Sequence, residues 1–205
     1  MAELRLNKTS LRSQISLLGQ LTKYLPTLQL KKQQLQMDVE QATGMLEARE
    51  KALRDAVAVL AAWKGLLDEK QMLEWTDLIR VREVQTSVEN VAGVDVPVFK
   101  AVVFEDVVLP LLMTPEWFDE AQERLRQVVV IREEIRVLKK RRAVLEEELR
   151  QAKIKVNLFE KRMIPSCREN IRRIRIFLGD VEIAALCNAK IAKGKLNRAR
   201  TESAA

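Results

Sequence analysis

The chain of 205 residues contains no histidine. That removes imidazole as a general base, as the partner of a nucleophile and as a metal ligand in one step. What remains for chemistry is two cysteines, clusters of carboxylates and a concentration of basic side chains. Cys167 and Cys187 stand 20 residues apart. No C-x-x-C pair would poise them for redox work or hold zinc, so they read as reduced, small packing residues of a cytoplasmic protein. Glu146, Glu147 and Glu148 lie beside Arg141, Arg142 and Arg150. On a helix that pattern ordinarily means a solvated face crossed by ion pairs. There is no phosphate-cradling glycine loop, no dinucleotide turn and no calcium loop; the nearest glycine context, IAKGKLNRAR at 191–200, has the wrong spacing. No catalytic residue, cofactor or metal site is expected.

The basic side chains are the strongest remaining signal. The formal charge is +7, but its distribution is uneven. Residues 1–35 carry six basic against one acidic side chain, residues 36–130 ten against eighteen, and residues 131–205 twenty against ten. Arg168, Arg172, Arg173 and Arg175, followed by Lys190, Lys193, Lys195, Arg198 and Arg200, would suit nucleic acid. Aromatics are almost missing from this stretch, so a stacking platform is lacking. Ile171, Ile174, Leu178, Val181 and Ala185 keep a helical stripe through it. A basic amphipathic helix turning inside an acidic or polar protein sleeve fits equally well, and the residue pattern leaves both readings open.

The elements that carry these residues are legible in the apolar period. Leu21, Leu25, Leu28, Lys32, Leu35, Val39, Ala42, Leu46, Arg49, Leu53, Ala56, Leu60, Trp63 and Leu67 advance by alternating steps of four and three. A repeat of 3.5 residues keeps one helix face against a partner. A second run reads Ile135, Leu138, Arg142, Leu145, Leu149, Ala152, Val156, Phe159 and Met163; Phe118, Ala121, Leu125 and Val128 precede it, with a shift of phase near Ile131. The charged seam members Lys32, Arg49 and Arg142 either fix register, face a partner or extend their heads to water. A helix from Leu11 to about Leu73 would be on the order of 90 Å long.

Between Val81 and Pro115 the composition changes to valine-rich runs broken by Pro97, Pro110 and Pro115. Two short strands around Ala92-Gly93 are expected there, with Pro97 at an edge. Thr114 and Pro115 read as the N-cap and first turn of the second helix. The predicted fold is all-α: a long antiparallel two-helix coiled coil with a short β-hairpin insertion in the middle. Its divisions are an N-terminal helix (1–80), a connector (81–115), a C-terminal helix (116–200) and a tail (201–205), in one elongated domain. Antiparallel pairing would bring Pro26 and Pro165 to nearly the same height, where the coil should change character. Trp63 falls on the seam, whereas Trp75 and Trp117 are placed to anchor a docked partner. No stretch is long and apolar enough for a membrane span, and MAELRLNKTS lacks the apolar core of an export signal.

Four strings are specific beyond periodicity. KYLPTLQLKKQQL (23–35), VENVAGVDVPV (88–98), KVNLFEKRMIP (155–165) and NIRRIRIFLGDVE (170–182) resemble, in order, the D-subunit family of the V/A-type rotary ATPases, most closely the bacterial subfamily whose complex is called an ATP synthase. The resemblance covers most of the chain and includes both intrahelical prolines. It implies a non-catalytic rotor axle, peripheral to the membrane, that couples ATP turnover in a ring of A and B subunits to proton or sodium movement. It implies that the terminal helices enter that ring, with Leu11, Ile15, Leu18, Ile183, Leu186 and Ile191 as bearing and Arg172, Arg173, Arg175, Lys190 and Lys193 meeting acidic loops. It also implies that a small F subunit contacts the hairpin near Val88, Val91, Val94, Val96 and Val98, and that a C/d-type subunit links the far end to the membrane rotor. Nucleic acid is not expected as a partner. A free-standing coiled-coil scaffold or a basic nucleic-acid-binding hairpin is the competing class, explaining charge and composition but not the ordered strings.

Overall fold

The computed structural model describes residues 5–61, 79–105 and 117–202, with side chains to Asn197. Helix α1 runs Lys8–Ala61, strands β1 and β2 run Val81–Val91 and Val94–Phe104, and helix α2 runs Phe118–Leu158. A π-helical turn, Phe159–Met163, joins α2 without a break to helix α3, Ile164–Glu202. The fold is thus the expected pair of long helices with a hairpin between them. Asn7 opens α1, its side-chain oxygen accepting the Ser10 N–H at 2.7 Å. This satisfies one of the backbone donors that a helix start leaves without a partner. The expected start of the second helix at Thr114-Pro115, the positions Pro110, Trp63 and Trp75, and the end of the first seam at Leu67 lie outside the described residues.

The chain divides into two compact units, one of Met1–Leu30 with Lys153–Ala205 and the other of Lys31–Ala152. In the second unit, Leu35, Ala42, Leu145, Leu149 and Ala152 form one buried cluster with Val94 and Val96 of the hairpin. These helix positions are seam members read from the heptads, and burial of leucines such as Leu35, Leu145 and Leu149 stabilises by roughly 1.5–3 kcal/mol each. Two ion pairs join the helices: Arg49 meets Glu134 at 2.9 Å, and Lys139 meets Glu50 at 3.0 Å. Half-exposed pairs contribute roughly 0–1 kcal/mol, so their effect is on register more than on stability. Arg49 is therefore a register-setting seam charge. Arg142 instead turns along its own helix to Glu146 at 3.2 Å.

In the first unit, Leu21, Ile164 and Cys167 are buried together, and Leu17, Leu18, Leu25, Phe159 and Met163 pack against them. Here one seam expectation needs correction. Phe159 and Met163 are only half-buried and lie in the π turn, while Ile164, Cys167, Ile171 and Ile174 take over the buried positions. The π turn lengthens the repeat by one residue, and the stripe moves with it. Pro26 is accommodated within α1. Its missing N–H leaves the Thr22 carbonyl without the donor a regular helix would supply.

The hairpin is antiparallel, and its register pairs Val91 with Val94, Glu89 with Val96 and Val88 with Pro97. Ala92 and Gly93 have φ of 52° and 75°. Two successive left-handed residues make the tight turn whose twist matches paired strands. Asn90 braces it, its Oδ1 accepting the Gly93 N–H at 3.1 Å and its Nδ2 donating to Asp95 Oδ1 at 2.6 Å. Because Val91 and Val94 close the turn as a hydrogen-bonded pair, alternation makes Val88 and Pro97 a non-bonded pair. Pro97 thus costs the ladder no hydrogen bond, which is why a proline sits there. Left-handed φ costs alanine roughly 1 kcal/mol or more. Ala92→Asn is therefore expected to raise the melting temperature by about 2–4 °C, measured by circular dichroism; an unchanged or lower value would show that the turn is not strained.

Candidate partner-binding surfaces

The first surface is built by α1 and α3 in the first unit. Leu18 and Ile15 face Arg168, Ile171, Arg172, Arg175 and Ile176 across an open groove of about 480 Å³. A second groove of about 550 Å³ lies between Lys8, Leu11, Arg12 and Ile15 on α1 and Leu178 and Glu182 on α3. Falling numbers on α1 against rising numbers on α3 confirm antiparallel packing within this unit. The apolar floor comes from seam positions that are incompletely covered; the basic rim comes from the neighbouring positions of the same turns. Arg173 points elsewhere and pairs with Glu169 on its own helix at 3.1 Å.

Beyond Asp180 every described side chain of α3, from Val181 to Asn197, is exposed. Val181, Ile183, Leu186, Ile191 and Leu196 are 49–64% exposed. Lys190, Lys193 and Lys195 accompany them. The expected bearing residues thus separate into two sets. Leu11, Ile15, Leu18, Arg172 and Arg175 line grooves between the helices, whereas Ile183, Leu186, Lys190, Ile191 and Lys193 sit on the stretch of helix whose described side chains are exposed. So many uncovered apolar side chains on one helix is the ordinary mark of a surface that another molecule covers.

The second surface is the hairpin. Cross-strand partners share a face, so Val91, Val94, Val96 and Val98 point to the helices, and Val88 points away with Pro97 and Phe99. Val96 is 0% and Val88 73% exposed. Val94 and Val96 accordingly belong to the core. Of the five valines, Val88 has the freest side chain. Glu89, on the inward face but at its margin, accepts Arg141 of α2 at 3.0 Å and ties the hairpin to the helix. No periodicity signals this pair, since its members lie 52 residues apart. At the start of α2, Trp117 is half-buried with its ring 6.4 Å from that of Phe118. Nearby, the Arg126 guanidinium lies 5.1 Å from the Phe104 ring centre, a cation–π contact that joins β2 to α2.

The remaining candidates for chemistry have structural partners. Glu147 is held down to about 2 by hydrogen bonds from Arg150 and Gln151, and Glu146 is paired with Arg142. The acidic cluster is a solvated face laced with ion pairs. Cys167 is buried in the seam, and burial pushes its thiol above the usual range; such a thiol favours its unreactive protonated form. Cys187 is exposed on the uncovered part of α3. Among the described residues no helix is long and apolar enough to cross a membrane.

Fold and surfaces together define a class: a mostly helical protein of long helices with an inserted β-hairpin and exposed apolar side chains on its last helix. The chain belongs to the ATP synthase D-subunit family, whose model matches residues 10–194. It is similar to proteins named as the D subunit of V-type ATP synthase from Borreliella burgdorferi (39% identical, covering 96% of both chains) and Chlamydia abortus (35%, covering 98% of both). The Chlamydia muridarum protein of that name is 36% identical over 96% of this chain and 98% of its own.

Proposed function

We propose that the chain is the non-catalytic central axle of a V/A-type rotary ATP synthase, transmitting torque between ATP turnover and ion translocation. The observation that carries this beyond family membership is the uncovered part of α3, with its apolar and lysine side chains exposed together. Exposed apolar side chains of this kind gain stability when a partner covers them. On this reading the ring of A and B subunits surrounds it, with Leu11, Ile15, Leu18, Ile183, Leu186 and Ile191 as bearing and Arg172, Arg173, Arg175, Lys190 and Lys193 meeting acidic loops. A bearing needs an asymmetric surface, because each A/B pair must meet a different face for its nucleotide affinity to shift in turn. On this reading the two long helices form the shaft, and the connector with the hairpin stays outside the ring. A C/d-type subunit links the shaft to the membrane rotor, which places the protein at the cytoplasmic side of a membrane complex.

The small F subunit is assigned to the hairpin and adjacent coil. Of the valines named for it, Val88 is the one to test, because Val94 and Val96 hold the hairpin to the helices. Val88→Arg is expected to weaken co-purification of the F subunit by at least about tenfold, as loss of a central interface contact does, while leaving the melting temperature within about 2 °C. Full association would remove the hairpin's outer face from the interface. The whole reading is tested by co-purification with the A/B ring. Failure to associate, with steeply salt-sensitive binding to duplex DNA instead, would favour the nucleic-acid hairpin.

A further inference from the structure

The π turn has an arithmetic that the segments on either side of it lack. On one side of it, Leu145 and Ala152, and Leu149 and Val156, are seven residues apart; on the other, Ile164 and Ile171, and Cys167 and Ile174, are also seven apart. All eight are buried. Across the turn, however, Val156 to Ile164 and Phe159 to Cys167 are each eight apart. The facing helix shows no such step: Leu18 and Leu25, and Leu21 and Leu28, keep the spacing of seven. One helix therefore carries a single surplus residue that its partner does not match. A regular α-helix would turn everything beyond the surplus by about 100° and bring Met163, Ser166, Asn170 and Arg173 into the seam. The wider turn absorbs the residue, marked by the Ile164 N–H reaching back five positions to the Phe159 carbonyl. The apolar identity of Ile164, Cys167, Ile171 and Ile174 keeps the surplus trapped.

The same level lacks backbone hydrogen bonds on both helices. Pro165 has no N–H to give to the carbonyls of the π turn, and Pro26 has none to give to Thr22. Leu25, beside Pro26, packs in the same small cluster as Phe159 and Met163. Those two side chains are half-buried, and no residue of the π turn is buried.

We propose that the π turn Phe159–Met163, with Pro26 on its level, is a torsional joint: one surplus residue, removable without disturbing the seam, placed where both helices have gaps in their backbone ladders. Its mechanical use rests on the axle reading, but the joint belongs to the isolated full-length chain and is tested there, so failure of either idea is visible separately. Glu160 and Glu169 are both exposed, one in the π turn and one just beyond it in α3. Deleting Glu160 restores spacings of seven from Leu145 to Ile174 and is expected to keep or raise the melting temperature. It should also slow amide hydrogen exchange through residues 157–165 by about tenfold or more, since the restored ladder opens less often. Deleting Glu169 puts Ile171 and Ile174 out of phase with no surplus to absorb the change, and should lower the melting temperature by about 10 °C or more. In the unaltered chain, exchange at 160–166 should exceed that at 149–156 and 171–178 by about tenfold. Uniform exchange along these segments overturns the joint. So does a Glu160 deletion that costs half or more of what the Glu169 deletion costs, or that fails to fold.

Discussion

Leu145→Ala should lower the melting temperature by about 10 °C and release the hairpin. Leu145 is 0% exposed at the centre of the cluster that joins Leu35 and Ala42 of α1 to Val94 and Val96 of the hairpin. Truncating such a leucine costs about 2–5 kcal/mol, because the lost transfer energy is joined by that of the cavity left behind. For a chain of this size each kcal/mol corresponds to about 2–4 °C. The hairpin suffers first, since a two-stranded ribbon has little stability of its own and its inward valines rest on this cluster. Exchange of the β1 and β2 amides should accelerate well beyond that of the seam amides near Leu21. Val144→Ala is the control. Val144, one residue away, is 37% exposed, and its truncation should move the melting temperature by no more than about 2 °C. Equal losses from the two variants would mean that the seam does not run through Leu145.

The largest functional effect is expected from removing residues 191–205. The described side chains of the removed segment, Ile191 to Asn197, are all exposed. The shortened chain should therefore melt within about 2 °C of the full one. On the axle reading, the same deletion in the assembled complex should sharply reduce ATP-driven ion pumping per ATP hydrolysed, because it would remove part of the surface proposed to transmit rotation. The combination is diagnostic. A stability change without loss of coupling would make the segment a structural element, and unchanged pumping would count against the axle reading.

The helices were legible because their apolar side chains repeat every 3.5 residues, a signal that survives Lys32, Arg49 and Arg142. The hairpin was legible from valine enrichment and from Ala92-Gly93. What sequence could not supply was the direction of each hairpin side chain: Val88 and Val96 look alike as letters, and only the cross-strand register separates 73% from 0% exposure. The π turn hid for a related reason. Phe159 and Met163 are apolar at heptad positions, so the repeat reads on through them while burial shifts to Ile164 and Cys167. An eight-residue step among sevens was present in the letters, but nothing in a periodicity says which apolar neighbour is covered. The ion pairs of Arg49 with Glu134 and of Arg141 with Glu89 were illegible altogether, because they join residues distant in the chain.

The placement of the hairpin also bears on how the chain acquires its structure. Its strands close locally, with Val91 opposite Val94, whereas Leu21 and Ile164 must meet across 143 residues of chain. Closing the long interval directly is entropically slower than closing the short one and then working outward. The hairpin, once lodged against Leu35 and Leu145, shortens every later closure, so assembly should proceed like a zip from there toward the two ends. The first helix is synthesised long before its partner, and until α2 follows its apolar stripe stays uncovered. Folding is thereby tied to completion of the chain, and a ribosome stalled before Phe118 would leave a product exposed to self-association.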